Sequence, residues 1–212
     1  MASSAPTPWP SAEQRARDRE VKREAVLATA LASFNEKGFH ATSLGDVAAS
    51  LGVTKPTIYH YFADKDDILF ACVRRGLESI QAAATEVAEA GGSGRARLEA
   101  LMLNYALIMT KPFGKCVIRT ADHELSPESR KKFRALKREI DQSIRRVVVT
   151  GIKDGSLAAG DVRTITFTLT GALNWIALWY DPAGTLTPED IASDVVKTLI
   201  GGLAAQTAKT PE

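Results

Sequence analysis

The chain has 212 residues, 45% of them hydrophobic and 25% charged, enough for one large core or for a small domain joined to a larger one. Its formal net charge is only +2, so bulk electrostatics neither demand nor exclude a polyanionic partner, and a nucleic-acid reading has to rest on placed residues. No apolar run approaches the roughly 20 residues of a membrane span, and the start has no signal-peptide apolar core, which predicts a cytoplasmic protein with no membrane partner. Cys72 and Cys116, the only cysteines, lie far apart in sequence and in no metal-ligand spacing. They read as two reduced thiols, with a redox sensor as the alternative.

Residues 1–18 carry Pro6, Pro8 and Pro10 among Ser, Ala and Thr and are expected to form a disordered tail. Leu27, Ala30, Leu31 and Phe34 then line one face of a first helix, which Lys37 and Gly38 are suited to close. Ser43 opens a second helix with Asp46 three residues on, and Leu44, Val47, Ala48 and Leu51 form its apolar face until Gly52 breaks it. Thr54 is the expected cap of a third helix, with Pro56 in the first turn and Val53 and Ile58 spaced as a hydrophobic staple. Asp64 caps a fourth helix, with Asp66 and Asp67 in its first turn. Two short helices joined by a tight turn containing Gly, between two longer ones, have helix-turn-helix geometry. The same cap spacing also suits an ordinary helical hairpin with a polar outer face.

The third helix has few apolar residues to bury, chiefly Ile58 and Phe62, so Lys55, Thr57, Tyr59, His60 and Tyr61 are expected outside. At about eight residues it would span ~12 Å, comparable to the width of the DNA major groove. Hydroxyls, an imidazole, an amine and aromatic edges can bond phosphates and base edges. Lys65 opposes the dipole at the start of the fourth helix, yet a lysine beside free backbone N–H groups makes a phosphate site.

The order of residues over 25–70 adds a further indication. The run "AVLATALASFNEKGFHATSLGDVAASLGVTKPTIYHYFADKDDIL" closely resembles the DNA-binding head of the TetR family (TetR/AcrR type) of bacterial repressors. Its distinctive parts are Phe34 with Lys37-Gly38-Phe39, Ala41-Thr42-Ser43, Asp46-Val47-Ala48, Gly52-Val53, and Ile58-Tyr59-His60-Tyr61-Phe62 with Lys65. The resemblance implies an all-α chain: a three-helix helix-turn-helix DNA-binding domain over 19–65, and a larger helical ligand-binding and dimerisation domain over 66–212. It also implies DNA contacts at Ser43, Thr54, Lys55, Thr57, Tyr59, His60 and Lys65, and packing roles for Leu44, Val47, Val53, Ile58 and Phe62. Pro56 stands where the family often has a small residue. Residues 19–65 hold six cations and five anions, weak for a lone DNA-binding module. Two heads spaced by one helical turn (~34 Å) or a multiple of it would repair that deficit, so a homodimer on a palindromic double-stranded operator is expected.

The remainder reads as helices over 95–110, 112–124, 127–154, 161–180 and 188–205, with Gly91-Gly92-Ser93-Gly94 ending a long fourth helix able to carry motion to the head. Ile165, Leu169, Ala172, Leu173 and Ile176, extended by Phe167, Leu178 and Trp179, make the 161–180 helix apolar over much of its circumference, so it must be covered on two sides. Ile191, Val195, Leu199 and Leu203 give the last helix a matching stripe. In the family resembled, such a pair builds a four-helix bundle with a twofold mate; an intramolecular hairpin is the alternative. Residues 128–146 carry eight cations and three anions, either a solvated face or a site for an anionic ligand. The segment "NWIALWYDPAGTLTPEDIA" (174–192) resembles TetR-family members that control fatty-acid or steroid breakdown, some of which respond to acyl-CoA thioesters. That implies an inducer of acyl-CoA or other hydrophobic type, in a tunnel lined by Leu101, Tyr105, Ile108, Met109, Phe113, Trp175 and Trp179; core packing accounts for the same residues without a ligand.

An enzyme is the rival of a different class, but there is no nucleophile elbow, phosphate loop or zinc motif, and no cofactor is implied. His123 lies between Asp122 and Glu124, neighbours that point in different directions on a helix, and His40 sits in a loop before Thr42-Ser43. A non-specific architectural DNA binder would show a basic head or tail. The resulting expectation is a ligand-released repressor, with a transcriptional activator or an architectural protein as alternatives.

Overall fold

The computed structural model describes Trp9 and residues 11–202. Among these the chain is all-α, with nine α-helices, one 3-10 turn and no β-strand. It divides between Ala71 and Cys72 into two compact units.

The N-terminal unit holds α1 (Ala12–Lys37), α2 (Leu44–Ser50), α3 (Lys55–Tyr59) and the start of α4 (Lys65–Glu89). Helix α1 begins earlier than expected, inside the stretch read as a tail. The Ser11 hydroxyl accepts the Gln14 N–H at 3.0 Å, and Glu13 pairs with Arg17 at 3.1 Å. A polar stretch continuous with an anchored helix needs only a cap and such i,i+4 pairs to stay helical. Residues 1–8 and 10 lie outside the described residues. Val26, Leu27, Ala30, Leu31 and Phe34 of α1 are buried, as are Leu44, Val47 and Ala48 of α2, Ile58, Phe62, and Ile68 and Leu69 of α4. Val53 is 38% exposed, so the staple expected between it and Ile58 does not bury it.

The C-terminal unit contains the rest of α4 with α5 (Gly94–Met109), α6 (Pro112–Arg119), α7 (Pro127–Lys153), α8 (Val162–Trp179) and α9 (Pro188–Gly201). Helix α5 packs against α6, α7, α8 and α9. It buries Leu98, Leu101, Met102, Tyr105, Ala106 and Met109, the apolar circumference that a central helix requires. Ser93, Ser126, Asp161 and Thr187 cap α5, α7, α8 and α9, each accepting the backbone N–H three residues on.

The helix expected over 112–124 stops at Arg119. Thr120 and Ala121 are extended, and Asp122–Glu124 form the 3-10 turn. Polar ties fix this break: the Glu124 carboxylate accepts the Ala121 N–H at 2.7 Å, while Arg130 donates to the carbonyls of Asp122 (2.7 Å) and Leu125 (3.0 Å). Helix α9 ends at Gly201, and Gly202 follows at φ +75°; the expected Leu203 stripe position lies outside the described residues.

Candidate functional site

The two short helices of the N-terminal unit are set by local chemistry. The Ser43 side-chain oxygen accepts the Asp46 N–H at 3.0 Å and fixes the start of α2. Beyond Leu51, Gly52 takes φ +66°, a left-handed turn residue that costs glycine little. Helix α3 starts at Lys55, but its expected cap works differently: Thr54 accepts no backbone N–H, and its hydroxyl instead lies 3.0 Å from that of Thr57. The helix proper is five residues, shorter than expected, and continues as turns in which the Tyr61 and Phe62 N–H groups both donate to the Ile58 carbonyl. Ile58 and Phe62 face the core, whereas Lys55, Tyr59 (48% exposed) and His60 are exposed and Thr57 and Tyr61 half-buried. Arg19 of α1 donates to the His60 carbonyl at 3.4 Å, and the Arg23 guanidinium stands 4.7 Å above the Phe62 ring. The outer end of α3 therefore combines two paired hydroxyls, a phenol, an imidazole and an amine, groups able to bond phosphates and base edges.

Lys65 is placed differently from the other expected contacts. Its ammonium donates to the Phe39 carbonyl at 2.7 Å and the Thr42 carbonyl at 3.0 Å, and lies 4.2 Å from the centre of the Phe39 ring. Buried Thr42 donates in turn to the Gly38 carbonyl at 2.9 Å. These bonds hold the loop that delivers Ser43 to α2, a positioning role. The dipole cost of a cation at this helix start is offset by Asp66 and Asp67 in the same turn. Asp64 accepts the Asp67 N–H at 2.8 Å, and Asp67 accepts the Ala63 N–H at 3.1 Å.

In the C-terminal unit, the seven residues expected to line a tunnel separate into groups. Leu101, Ile108 and Met109 are buried core. The Tyr105 hydroxyl donates to Asn174 Oδ1 at 2.8 Å, and burial pushes its phenol above the ordinary value. Tyr105 and Asn174 line a cavity of ≈160 Å³ with Leu77, Val117, Ile140 and Phe167. Phe113 is half-buried, with the Arg75 guanidinium 5.1 Å from its ring centre. Trp175 and Trp179 do not join this group: they are 61% and 45% exposed. They line instead an open apolar groove of ≈640 Å³ with Ala172 and Ile176 of α8 and Val195 and Leu199 of α9.

A second cavity, ≈350 Å³, lies between α4, α5 and α7 and is lined by Gln81, Thr85, Arg97, Ser143, Arg146 and Thr150 among others. Arg146 donates to the Ser143 hydroxyl at 2.9 Å, and Gln81 donates to it at 3.3 Å. Arg97 Nε is buried without a hydrogen-bond partner among the described residues. Sequence reading missed this site because its polar residues are scattered over three helices and repeat with no motif.

Residues 26–72 match the family description "Bacterial regulatory proteins, tetR family", and residues 91–203 match "Tetracyclin repressor-like, C-terminal domain". The chain belongs to the TetR family. It is 26% identical over 187 residues to the HTH-type transcriptional repressor KstR2 of Rhodococcus jostii, covering 87% of this chain and 92% of that one. The TetR-family regulator PfmR of Thermus thermophilus is similar in structure, with TM-score 0.79 and 28% identity over 85% of this chain and 99% of that one. AibR, solved in complex with isovaleryl coenzyme A and operator DNA, has TM-score 0.75 and 26% identity over 84% of this chain and 98% of that one. This TetR-family member is a DNA-binding transcriptional regulator, and α2–turn–α3 is its helix-turn-helix.

The basic segment of this TetR-family regulator is less free than its sequence suggests. Asp122, outside the segment, pairs with Arg134 and with Lys137, and the Arg134 hydrogen bond holds its carboxyl below the ordinary carboxylate value. Glu128 pairs with Lys132 at 2.6 Å and Asp141 with Arg145 at 2.8 Å. Arg130 is committed to two backbone carbonyls. No helix of the described residues is long and apolar enough to cross a membrane.

Proposed function

We propose that this regulator is a cytoplasmic repressor that binds a palindromic operator as a homodimer and leaves it when a small acyl-thioester ligand enters the C-terminal unit. The observation that carries the DNA reading is the exposure of Lys55, Tyr59 and His60, with half-buried Thr57 between them, along α3 and the turn that follows it, anchored by Ile58 and Phe62. Ser43 and Thr54 flank them, where short polar side chains at helix starts reach phosphates. Lys65 acts through the Phe39–Thr42 loop.

The uncovered face of α8 and α9 supports the dimer reading. Trp175, Leu178 and Trp179 are large, apolar and exposed together, with Val195 and Leu199 across the groove. A patch of this kind marks an interaction surface, and a twofold mate presenting the same patch would cover it. The resulting pair of heads reads two half-sites, which supplies the affinity that one nearly neutral head lacks.

For the ligand, the Tyr105–Asn174 cavity is below the ~300 Å³ of ordinary small-molecule sites and suits a short acyl group. The cavity with Arg97 and Arg146 suits an anionic end such as a phosphate. The similarity to a regulator solved with isovaleryl coenzyme A supports this class.

Footprinting and a titrated operator duplex test the DNA reading. Tyr59→Ala is expected to weaken operator binding by about 1–3 kcal/mol while the dimer and helix content stay unchanged. Unchanged affinity would remove Tyr59 from the reading surface.

A further inference from the structure

Helix α1 runs well past the core that it serves. Residues 12–22 are all exposed, and burial begins only at Val26 and Leu27. Residues 12–24 hold five cations and four anions, a near balance that by itself gives the surface no sign. Folding into a helix separates the charges. At ~100° per residue, Arg15, Arg19, Lys22 and Arg23 share an arc of about 100°, whereas Glu13, Glu20 and Glu24 gather about a third of a turn away. The head is nearly neutral by count, yet this helix is polarised across its width.

Contacts fix which way each flank faces. Arg19 donates to the His60 carbonyl at 3.4 Å, and the Arg23 guanidinium lies 4.7 Å above the Phe62 ring. Together they set the cationic flank beside the outer end of α3. Arg23 is also held by Glu20 at 3.5 Å and Glu24 at 4.0 Å, so it serves as the tie between the helices. On the other flank Arg17 pairs with Glu13 at 3.1 Å. Asp18, at the outer margin of the cationic flank, accepts from Gln14 at 2.9 Å. Neither Arg19 nor Lys22 forms an ion pair among the described residues. A positive stripe therefore continues from α1 onto the exposed Tyr59–His60 end of α3. From Arg15 to Lys22 it runs about 10 Å, a length over which one DNA strand presents about three phosphates.

We propose that Arg15, Arg19 and Lys22 form a second contact surface for double-stranded DNA, gripping the phosphate backbone beside the groove that α3 enters. Three cations in line match a row of phosphates, whereas the base edges lie in the groove that α3 itself occupies. Glu13, Glu20 and Glu24, on the far flank, are turned away from the duplex, so the anions that cancel the head's charge by count do not cancel it at the contact. Phosphate contacts position a protein without reading sequence. The stripe therefore adds affinity and salt dependence, and leaves base choice to α3. This rests on the reading of α3 as the DNA-facing helix, and it is independent of the acyl ligand and of the dimer contact.

The test compares the full-length protein with a variant carrying Arg15→Gln, Arg19→Gln and Lys22→Gln, exposed positions at which glutamine keeps the helix propensity. Two labelled duplexes are titrated by fluorescence anisotropy over a salt series: the site protected in footprinting, and a scrambled duplex of the same length. The slope of log affinity against log salt should become shallower by about 2–3 for each bound head. At low salt both duplexes should bind about tenfold or more weaker, by the same factor, so that the preference between them is kept. Arg15→Lys with Arg19→Lys, Lys22 being retained, should keep the wild-type slope. So should Lys131→Gln, Arg138→Gln and Lys153→Gln together, which remove the same charge from exposed positions of α7. An unchanged slope in the α1 variant, an equal reduction in the α7 variant, or a loss confined to the footprinted sequence would each overturn the proposal. If Tyr59→Ala weakens the footprinted site alone while the α1 variant keeps the wild-type slope, this surface falls and the α3 reading stands.

Discussion

Replacing Lys65 by Met separates a phosphate contact from a positioning residue. The change keeps the length and much of the apolar stem but removes two charge-assisted hydrogen bonds, to the carbonyls of Phe39 and Thr42, and the cation from the face of the Phe39 ring. Charged hydrogen bonds contribute ~1.5–3 kcal/mol each and the ring contact ~0.5–1 kcal/mol. The naive total is too large, because the loop around His40 and Ala41 is exposed and water can reach the freed carbonyls. A loss of roughly 2–3 kcal/mol in the local stability of the 38–43 loop is the reasonable expectation. Since the loop delivers Ser43 to the start of α2, operator affinity should fall by about tenfold or more, tenfold corresponding to ~1.4 kcal/mol. The discriminating assay is fluorescence anisotropy of a labelled operator duplex over a salt series. A lysine that neutralised one phosphate in each of two heads would take ~2 from the slope of log affinity against log salt when removed. A positioning lysine lowers affinity at every salt concentration and leaves the slope unchanged. A slope reduced by about 2, with hydrogen exchange in the 38–43 loop as in the wild type, would refute the assigned role.

Two further outcomes follow from the C-terminal unit. Trp179→Glu places a charge in the exposed α8–α9 groove, and the protein should sediment as a monomer at concentrations where the wild type is dimeric; an unchanged dimer would move the interface elsewhere. Asp122→Asn removes the anion paired with Arg134 and Lys137. The folded pKa of Asp122 lies below its ordinary 3.8, so the stabilisation it gives is present above that value and lost as pH falls through the folded pKa. The melting temperatures of wild type and variant should therefore differ near neutrality and converge on acidification, and a gap that is constant with pH would show that the ion pair contributes nothing.

The sequence exposed the local rules well and the spatial partnerships poorly. The caps at Ser43 and Asp64 could be read because a cap is a contact between residues two or three positions apart, whereas at Ser93, Ser126, Asp161 and Thr187 the sequence showed where helices start and the structure shows the caps. The inward faces of α1 and α2 followed from periodicity alone. At Thr54 the expected cap hydroxyl turns to Thr57, since two hydroxyls one turn apart can satisfy each other as well as the backbone. Trp175 and Trp179 share a helix with buried Leu173 and Ile176, and an apolar pattern that wide cannot say which residues face the core and which await a partner. The break after Arg119 depends on Arg130 reaching back to two carbonyls, and the close approach of α4 to α6 depends on the missing side chain at Gly76. Neither leaves a periodic trace. The Arg97–Arg146 cavity is hidden for the same reason: three helices contribute to it, and none carries a signature of its own.

The central claim is that two copies of the α2–α3 motif act together on one duplex. Selecting bound sequences from a pool of random duplexes, followed by native mass spectrometry of the selected complex, measures this directly. The account predicts enrichment of an inverted repeat with half-site centres one helical turn or a multiple of it apart, occupied by an even number of protomers. A single protomer bound to a duplex with no inverted symmetry, or no enrichment above the starting pool, would contradict it.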